Sequence, residues 1–188
     1  MSPTAIATDD LISDMYGELR EIAARLLRHE REGHTLQKTA LVHETFIRLF
    51  EKHPETALSA RSFLGLAAHQ MRLVLVDYGR KHRAGKRTGR LQRVPYLEVD
   101  HGFARAEDAI LAIDAAMEKL QQLDQRAHAV VELKFFAGFT NQETAGILNL
   151  SAGTVEQDWQ FARAWLFGVL SAKAVTLQTS GDLVNAGR

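Results

Sequence analysis

The sequence contains no cysteine, which excludes disulfide bonds, thiol catalysis and thiolate zinc sites. Only 3 prolines and 13 glycines interrupt it, and its aromatic and β-branched residues never form alternating runs, so we predict an all-α fold. No apolar run approaches the length of a membrane span, and the N-terminus lacks the basic-then-apolar pattern of a signal peptide. These absences predict a cytoplasmic helical protein.

Catalytic patterns are also missing. His43-Glu44 lacks the second histidine, four residues after the first, that a zinc-protease helix requires. The sequence shows no paired carboxylates suited to acid–base chemistry, no glycine-rich phosphate loop and no nucleophile elbow. We therefore expect neither an enzyme nor a metal or cofactor site.

The net charge is zero, but the charges are unevenly distributed along the chain. Residues 72–93 carry 8 Lys/Arg and 1 acidic residue, whereas the segments on both sides are acidic overall. Such a stretch could be a solvated linker face that only aids solubility. Its density of cations instead favours binding to the phosphates of a nucleic acid.

Hydrophobic periodicity predicts three helices before the basic stretch ends. The first is capped at Thr8 and ends at Gly33, and the second stops before Pro54. The third is capped by Ser59 and runs through Tyr78 into the basic residues.

A second helical block follows a segment rich in glycine. We predict one helical domain over residues 8–88, a flexible linker over 89–104 and a second helical domain over 105–170. Within the second domain, Asp124 caps a helix that Gly138 ends. From about Ser171 onward, Ser, Thr, Gly and Asn accumulate, and we predict that the last dozen residues form a loose tail.

Residues 140–166 have the pattern of a helix-turn-helix. Thr140 and Glu143 form a capping box, and Asn149 suits the left-handed conformation of a tight turn. Ser151 caps the second helix, whose inner stripe is made of Val155, Trp159, Ala162 and Leu166. Two capped helices with this spacing predict a recognition helix for the major groove of DNA.

Three segments, taken in order, resemble the extracytoplasmic-function (ECF) sigma factors, the smallest class of bacterial RNA polymerase specificity subunits. They are the run TALVHETFIRL at 39–49, the helix from Phe63 to DYGRKHR at 77–83, and the helix-turn-helix. The runs HTLQ at 34–37 and DWQFARAWL at 158–166 resemble one subgroup of that family. The resemblance covers roughly residues 8–170.

The resemblance implies two DNA contacts and one protein contact, and it implies that catalysis belongs to the polymerase. The first segment would bind the β′ clamp of core RNA polymerase through Lys38, Thr39, Leu41, Val42, Glu44 and Thr45. The second would read and melt the −10 promoter element through Arg61, His69, Gln70, Arg72, Tyr78, Arg80, Lys81, Arg83, Lys86 and Arg87. The third would read the −35 element through Ser151, Thr154, Glu156, Gln157, Gln160 and Arg163.

The chain departs from the family pattern at residues 37–40. Many ECF factors have carboxylates here that meet basic residues of the clamp, but this chain has Gln37, Lys38, Thr39 and Ala40. Charge-assisted contacts are worth about 1.5–3 kcal/mol each, so their loss would weaken assembly with polymerase. A phosphate on Thr39 would restore about two negative charges and three acceptors.

We therefore hypothesise that a Ser/Thr kinase activates the protein at Thr39, with Thr45 or Thr35 as alternative sites. In the simpler interpretation, Thr39 only caps the second helix. Hydrophobic contacts through Leu41, Val42 and Phe46 would then suffice for binding to polymerase.

The recognition helix departs from the family pattern as well. Its outward positions include Ala152, Gly153 and Glu156, with Arg163 as the nearby cation. Because phosphate neutralisation drives DNA binding, we expect this helix to bind the −35 element weakly. Tethering to polymerase would compensate for the low affinity. Two other interpretations remain open: a sigma-like regulatory interaction protein whose domains dock on each other or on a partner, and a plain helix-turn-helix repressor.

Overall fold

The computed structural model describes residues 8–27, 37–52, 59–87 and 101–185. All regular structure in these ranges is helical, which confirms the all-α prediction. The helices are α1 (Thr8–Leu26), α2 (Lys38–Lys52), α3 (Ala60–Arg87), α4 (His101–Leu123), α5 (Gln125–Val131), α6 (Asn141–Leu148) and α7 (Ala152–Asn185). A single π-helical turn, Glu132–Ala137, follows α5 and is called the π turn below.

Helices α1, α2 and α3 form the N-terminal half of the protein. Each is amphipathic, and their apolar faces meet around Leu19, Leu41 and Met71, which are fully buried. An ion pair ties α2 to α3, since Arg48 donates to Asp77 at 2.7 Å and to Glu44 of its own helix at 3.0 Å. The predicted cap Ser59 is confirmed, because its hydroxyl accepts from the Ser62 N–H at 3.2 Å.

Helices α4 to α7 form the C-terminal half, and its caps follow the sequence prediction. The Asp124 carboxylate accepts from the Ala127 N–H at 2.9 Å, and Gly138 ends the π turn with a φ of 82°. Thr140 and Glu143 form the predicted capping box at the start of α6. Asn149 then turns the chain with a left-handed φ of 54°, as expected of asparagine at a helix C-terminus.

The two halves share one hydrophobic core. Its buried members include Ala23 of α1, Met71 of α3, Met117 of α4, Phe136 of the π turn and Ala162 of α7. A smaller cluster beneath α6 contains Val130, Ala145 and Val155. Helix α3 is the central element, because it packs against α1 and α2 on one side and against α4 and the π turn on the other.

Two glycines of α3 lie against the C-terminal half, and at Gly65 the approach is too close for a side chain. A Cβ on Gly65 would stand only 2.7 Å from the Leu133 Cδ2 atom, and a Cβ on Gly79 would lie 3.5 Å from the Ile110 Cγ2 atom. At Gly65 any side chain would require the Leu133 side chain to shift.

Several predicted boundaries need correction. Helix α1 ends at Leu26 rather than continuing to Gly33. Helix α4 begins at His101, so the last four residues of the predicted linker are helical, while residues 88–100 lie outside the described residues. The prediction of a loose tail is wrong up to Asn185, where α7 ends. No proline interrupts residues 171–185, so their polar character alone does not break the helix.

Candidate nucleic-acid and polymerase interfaces

Five basic or imidazole side chains of α3 face the C-terminal half. The steps between them alternate between eight and three residues, and each pair of steps adds up to eleven residues, which is close to three helical turns, so the five side chains stay on one side of the helix. We call this set the α3 basic stripe: Arg61, His69, Arg72, Arg80 and Arg83.

The centre of the α3 basic stripe is a buried ionic cluster. Arg72 donates to Glu132 Oε1 from Nε at 3.0 Å and from Nη2 at 2.7 Å, and its Nη1 donates to Asp114. Arg80 reaches the other oxygen of Asp114 at 3.0 Å. The side chains of Arg72, Asp114 and Glu132 are 6–8% exposed, so these charges are almost fully removed from water. Such burial is tolerated only because the charges are paired.

The two ends of the stripe are exposed ion pairs. Arg61 lies 3.7 Å from Glu143 of α6, and Arg83 lies 3.7 Å from Asp108 of α4. Both arginine side chains are 63% exposed, so each pair contributes little to stability. Together with the central cluster, they give every member of the α3 basic stripe an acidic partner in the C-terminal half.

Two histidines face Glu132 in the same cluster. His69 Nδ1 lies 3.2 Å and His128 Nε2 lies 3.6 Å from Glu132 Oε1. Burial raises the pKa of Glu132, but the hydrogen bond from His69 and the charge of Arg72 outweigh it and hold that pKa below its ordinary value. Burial lowers the pKa of His128 more than the attraction of Glu132 raises it, so His128 is neutral at neutral pH.

We expect the free energy of unfolding to fall as the pH is lowered. His128 has a lower pKa in the folded state than in the unfolded chain, so acid favours unfolding once the pH drops below about 6.5. Glu132 also has a lowered pKa, so its contribution is lost as the pH falls through that folded-state value. Urea denaturation at several pH values measures both steps.

A matched pair of variants isolates the histidine step. His128→Gln should flatten the decline that begins near about pH 6.5, whereas His43→Gln, at an exposed site of α2, should leave it intact. An unchanged decline in the His128 variant would contradict this assignment.

The placement of the predicted −10 residues requires one correction. Arg72 is about 95% buried at the junction of the two halves, and Gln70 is buried to a similar extent, so in this conformation neither can contact a DNA strand. Their helical spacing did not reveal this burial. Tyr78 is half-buried and Lys81 is exposed. Lys86 and Arg87 belong to α3, but their side chains lie outside the described residues.

The α2 surface also differs from the sequence expectation. Leu41, Val42 and Thr45 are core residues with at most 1% exposure, and the Thr45 hydroxyl donates to the Leu41 carbonyl at 2.7 Å. The expectation that they contact polymerase is therefore wrong for this conformation, because the helix face with apolar periodicity packs inward. Lys38, Ala40, His43 and Ile47 are exposed instead, and Thr39 and Glu44 are half-buried.

Several polar groups of the predicted recognition helix are already engaged. Ser151 Oγ accepts from the Thr154 N–H at 3.0 Å and caps α7. Glu156 accepts from Asn141 at 2.7 Å and from Gln160 at 2.8 Å, and these two hydrogen bonds lower its pKa. The hydrogen bond between Asn141 and Glu156 joins α6 to α7. The exposed side chains of Gln157 and Arg163 complete the predicted set.

A second ion pair, within the C-terminal half, was not predicted from the sequence. Arg126 of α5 holds Asp158 of α7 through two hydrogen bonds, at 2.6 and 2.9 Å, and Asp158 is buried. In the sequence, Asp158 lies next to the inner stripe of α7, and this position was the available signal that it is buried. Its partner, 32 residues away, could not be identified from one sequence.

Within the described ranges, histidines and carboxylates form no group of three or more that could hold a metal ion. None of the helices described is long and apolar enough to span a membrane.

The arrangement defines a class of protein. An all-helical chain with a basic central helix and a terminal pair of capped helices has the features of a helical transcription factor. The family model described as ECF sigma factor matches residues 2–172, so the chain belongs to the ECF sigma factor family. No curated protein matches the sequence. Membership identifies an alternative sigma factor for transcription initiation, whose partners are core RNA polymerase and promoter DNA.

Proposed function

We propose that this chain directs core RNA polymerase to promoters by docking the exposed face of α2 on the β′ clamp and by presenting α3 to the −10 element. The observation that carries the proposal is the α3 basic stripe in a chain of this family, because cations on one helix face suit a phosphate backbone. The protein would act where polymerase acts, in the cytoplasm.

The proposed clamp surface consists of the α2 residues that remain exposed. Lys38, Ala40, His43 and Ile47 combine one cation with small and apolar groups, and the first turn of α2 contains no acidic residue. A clamp surface rich in basic residues would gain little electrostatic attraction from an α2 face of this composition. Ile47 is the largest apolar group on this face, with 56% exposure, and is therefore the proposed hydrophobic anchor.

The −35 contact is proposed to be weak. Among the predicted recognition residues Arg163 is the single cation, and Glu156 is held by Asn141 and Gln160. Phosphate neutralisation by this helix would therefore be small, and its contribution would depend on tethering by polymerase.

We propose that phosphorylation of Thr39 by a Ser/Thr kinase strengthens the clamp contact. Thr39 is half-buried in the first turn of α2, where the Leu41 N–H closes the first helical bond to Gln37 and the preceding amides are free of helical partners. A phosphate there would meet the positive end of the helix dipole. Thr45 is a poor alternative, because it is buried and its hydroxyl is bonded. Thr35 lies outside the described residues.

Binding to core polymerase tests the clamp proposal. Protein phosphorylated at Thr39 should bind core polymerase about tenfold more tightly than unmodified protein, because one or two charge-assisted contacts are regained. Lys38→Glu should shift affinity in the same direction. Lys119→Glu is the matched control, because it makes the same charge change at an exposed site of α4.

Run-off transcription with purified core polymerase supplies the functional readout. Unmodified protein that supports full promoter-specific transcription, together with a Thr39→Ala variant that behaves identically, would contradict the phosphorylation switch. Absence of any promoter-specific transcript from either form would contradict the sigma-factor function itself.

One observation favours a second candidate, a sigma-like regulatory interaction protein. The two halves dock on each other through the shared core and the buried ionic cluster. A chain held permanently in this state would bind partners without initiating transcription, and the same run-off assay separates the two functions. A plain helix-turn-helix repressor would instead bind duplex DNA tightly without polymerase.

A further inference from the structure

A line of hydrogen bonds crosses the predicted helix-turn-helix where α6 meets α7. Lys134 of the π turn donates to Asn141 Oδ1, and Asn141 Nδ2 donates to Glu156 Oε2 at 2.7 Å. Gln160 Nε2 donates to the other carboxylate oxygen, Glu156 Oε1, at 2.8 Å. The Lys134 ammonium also lies 5.5 Å from the centre of the Trp159 ring on α7. We call Lys134, Asn141, Glu156 and Gln160 the Glu156 network.

The charged members of the Glu156 network fix which way its amide groups point. A lysine ammonium can only donate, so Asn141 turns its oxygen to Lys134 and its NH2 group to Glu156. The hydrogen bonds from Asn141 and Gln160 lower the pKa of Glu156, which is therefore ionised at neutral pH and can only accept. Gln160 must then turn its NH2 group toward Glu156.

Part of the hydrogen-bonding capacity of Glu156 and Gln160 remains available to a ligand. Each carboxylate oxygen of Glu156 has two acceptor sites, and the network uses one on each. Gln160 is exposed and keeps its Oε1 acceptor and one of its two N–H donors. The two residues are about one helical turn apart, so they lie on the same side of α7.

The edges of the bases in the major groove differ in what they offer to such a pair. Cytosine presents an amino donor at N4, and adenine presents an amino donor at N6 beside its N7 acceptor. A carboxylate accepts from the first, and a glutamine amide pairs with the second through its oxygen and one N–H. Guanine presents only acceptors, which would face the acceptors of Glu156. Contacts of this kind specify sequence even where few phosphate contacts supply affinity.

We propose that Glu156 and Gln160 select the −35 element by accepting hydrogen bonds from the amino groups of a cytosine and an adenine. Asn141, oriented by Lys134, is the positioning residue that holds Glu156 in place for this contact. The inference rests on the proposed function in assigning α7 to the −35 element. It adds the chemical class of base that the helix reads, and it makes the contact selective although its affinity is low.

Selection from a library of random duplex DNA finds the preferred site. The full chain is used without polymerase and at low salt, where weak protein–DNA contacts are strengthened, and the bound duplexes are sequenced. Each cytosine of the enriched site is then replaced in turn by pyrimidin-2-one, which lacks the N4 amino group. At one position this should lower the affinity of the wild type about tenfold. Replacing each adenine by purine deletes the N6 amino group, and one position should show a loss of the same size.

Variants show which side chain reads each amino group, because weaker base pairing in the modified DNA is common to all proteins and cancels from the comparison. In Glu156→Met, deletion of the cytosine amino group should cost less than about twofold, and in Gln160→Met the same should hold for the adenine amino group. Asn141→Ala should reduce the cytosine effect to about threefold. Glu118→Met, the same change at an exposed site of α4, should retain both wild-type losses.

Failure to enrich any site, or equal losses in the wild type and either methionine variant at Glu156 or Gln160, would overturn the inference. An unchanged cytosine effect in Asn141→Ala would overturn the positioning role. Gln160 is exposed, so its variant supplies the test even if Glu156→Met fails to fold.

Polymerase is absent from this assay, so its outcome is separate from that of run-off transcription. Promoter-specific transcription by a chain that does not discriminate the amino groups would contradict this inference alone. Discrimination of the amino groups by a chain that never initiates transcription would contradict the proposed sigma-factor function alone.

Discussion

Replacing Arg72 with methionine is expected to lower the free energy of unfolding by about 3–5 kcal/mol. The variant leaves the Asp114 and Glu132 carboxylates buried with their shared counter-charge removed, and both are almost inaccessible to water. It also removes the guanidinium that lies 5.5 Å from the centre of the Phe136 ring. Urea denaturation at neutral pH measures the loss.

The matched control for Arg72 is Lys81→Met, which removes a cation from an exposed position of the same helix. Its effect should stay within about 0.5 kcal/mol. A loss below about 1 kcal/mol for Arg72→Met would mean that the cluster is solvated and does not hold the two halves together.

The second large effect is expected in α2, where stability and polymerase binding should separate. Leu41→Ala should destabilise the protein by about 2–5 kcal/mol, because Leu41 is fully buried in the core. Ile47→Ala should change stability by less than about 0.5 kcal/mol, because its side chain is exposed. For polymerase binding we expect the opposite order of effects, with Ile47→Ala causing the larger loss. It should reduce the affinity for core enzyme about tenfold.

Both properties are measurable on the same preparations, by urea denaturation and by a binding titration with core polymerase. If Ile47→Ala binds as the wild type does, the exposed face of α2 is not the clamp surface. If Leu41→Ala retains wild-type stability, the packing of α2 on α1 and α3 is not as described.

Local features of this fold were well predicted from the sequence. The cap at Asp124, the capping box of Thr140 and Glu143, and the left-handed turn at Asn149 depend on a few neighbouring residues. Short-range hydrogen bonding of this kind can be recognised in the sequence itself. The same holds for Ser59 at the start of α3.

Long-range relations could not be predicted in the same way. The basic residues of α3 were singled out from the sequence, but their partners lie in other elements, such as Asp114 and Glu132, which are 42 and 60 residues away from Arg72. A single sequence contains no signal that pairs positions so far apart. Arg72 was therefore predicted to contact DNA, whereas in this structure it bonds to Asp114 and Glu132 at the interface between the two halves.

Three of the six α2 residues predicted to bind polymerase, Leu41, Val42 and Thr45, are buried for a different reason. The family motif marks a helix, but an amphipathic helix has two faces, and the apolar periodicity of Leu41, Val42 and Phe46 belongs to the core. The face proposed to bind polymerase is the other one. The π turn was also missed, because a run such as ELKFFA at residues 132–137 carries no glycine or proline to mark a departure from the α-helix.

The most direct test of the account is the distance between the two halves before and after polymerase binds. Glu18→Cys on α1 and Ala164→Cys on α7 place a pair of fluorophores at exposed sites outside the proposed contact surfaces. The chain phosphorylated at Thr39 should show one compact population when free and a more separated one when saturated with core polymerase. Unchanged energy transfer on saturation, or no binding at all, would contradict the account.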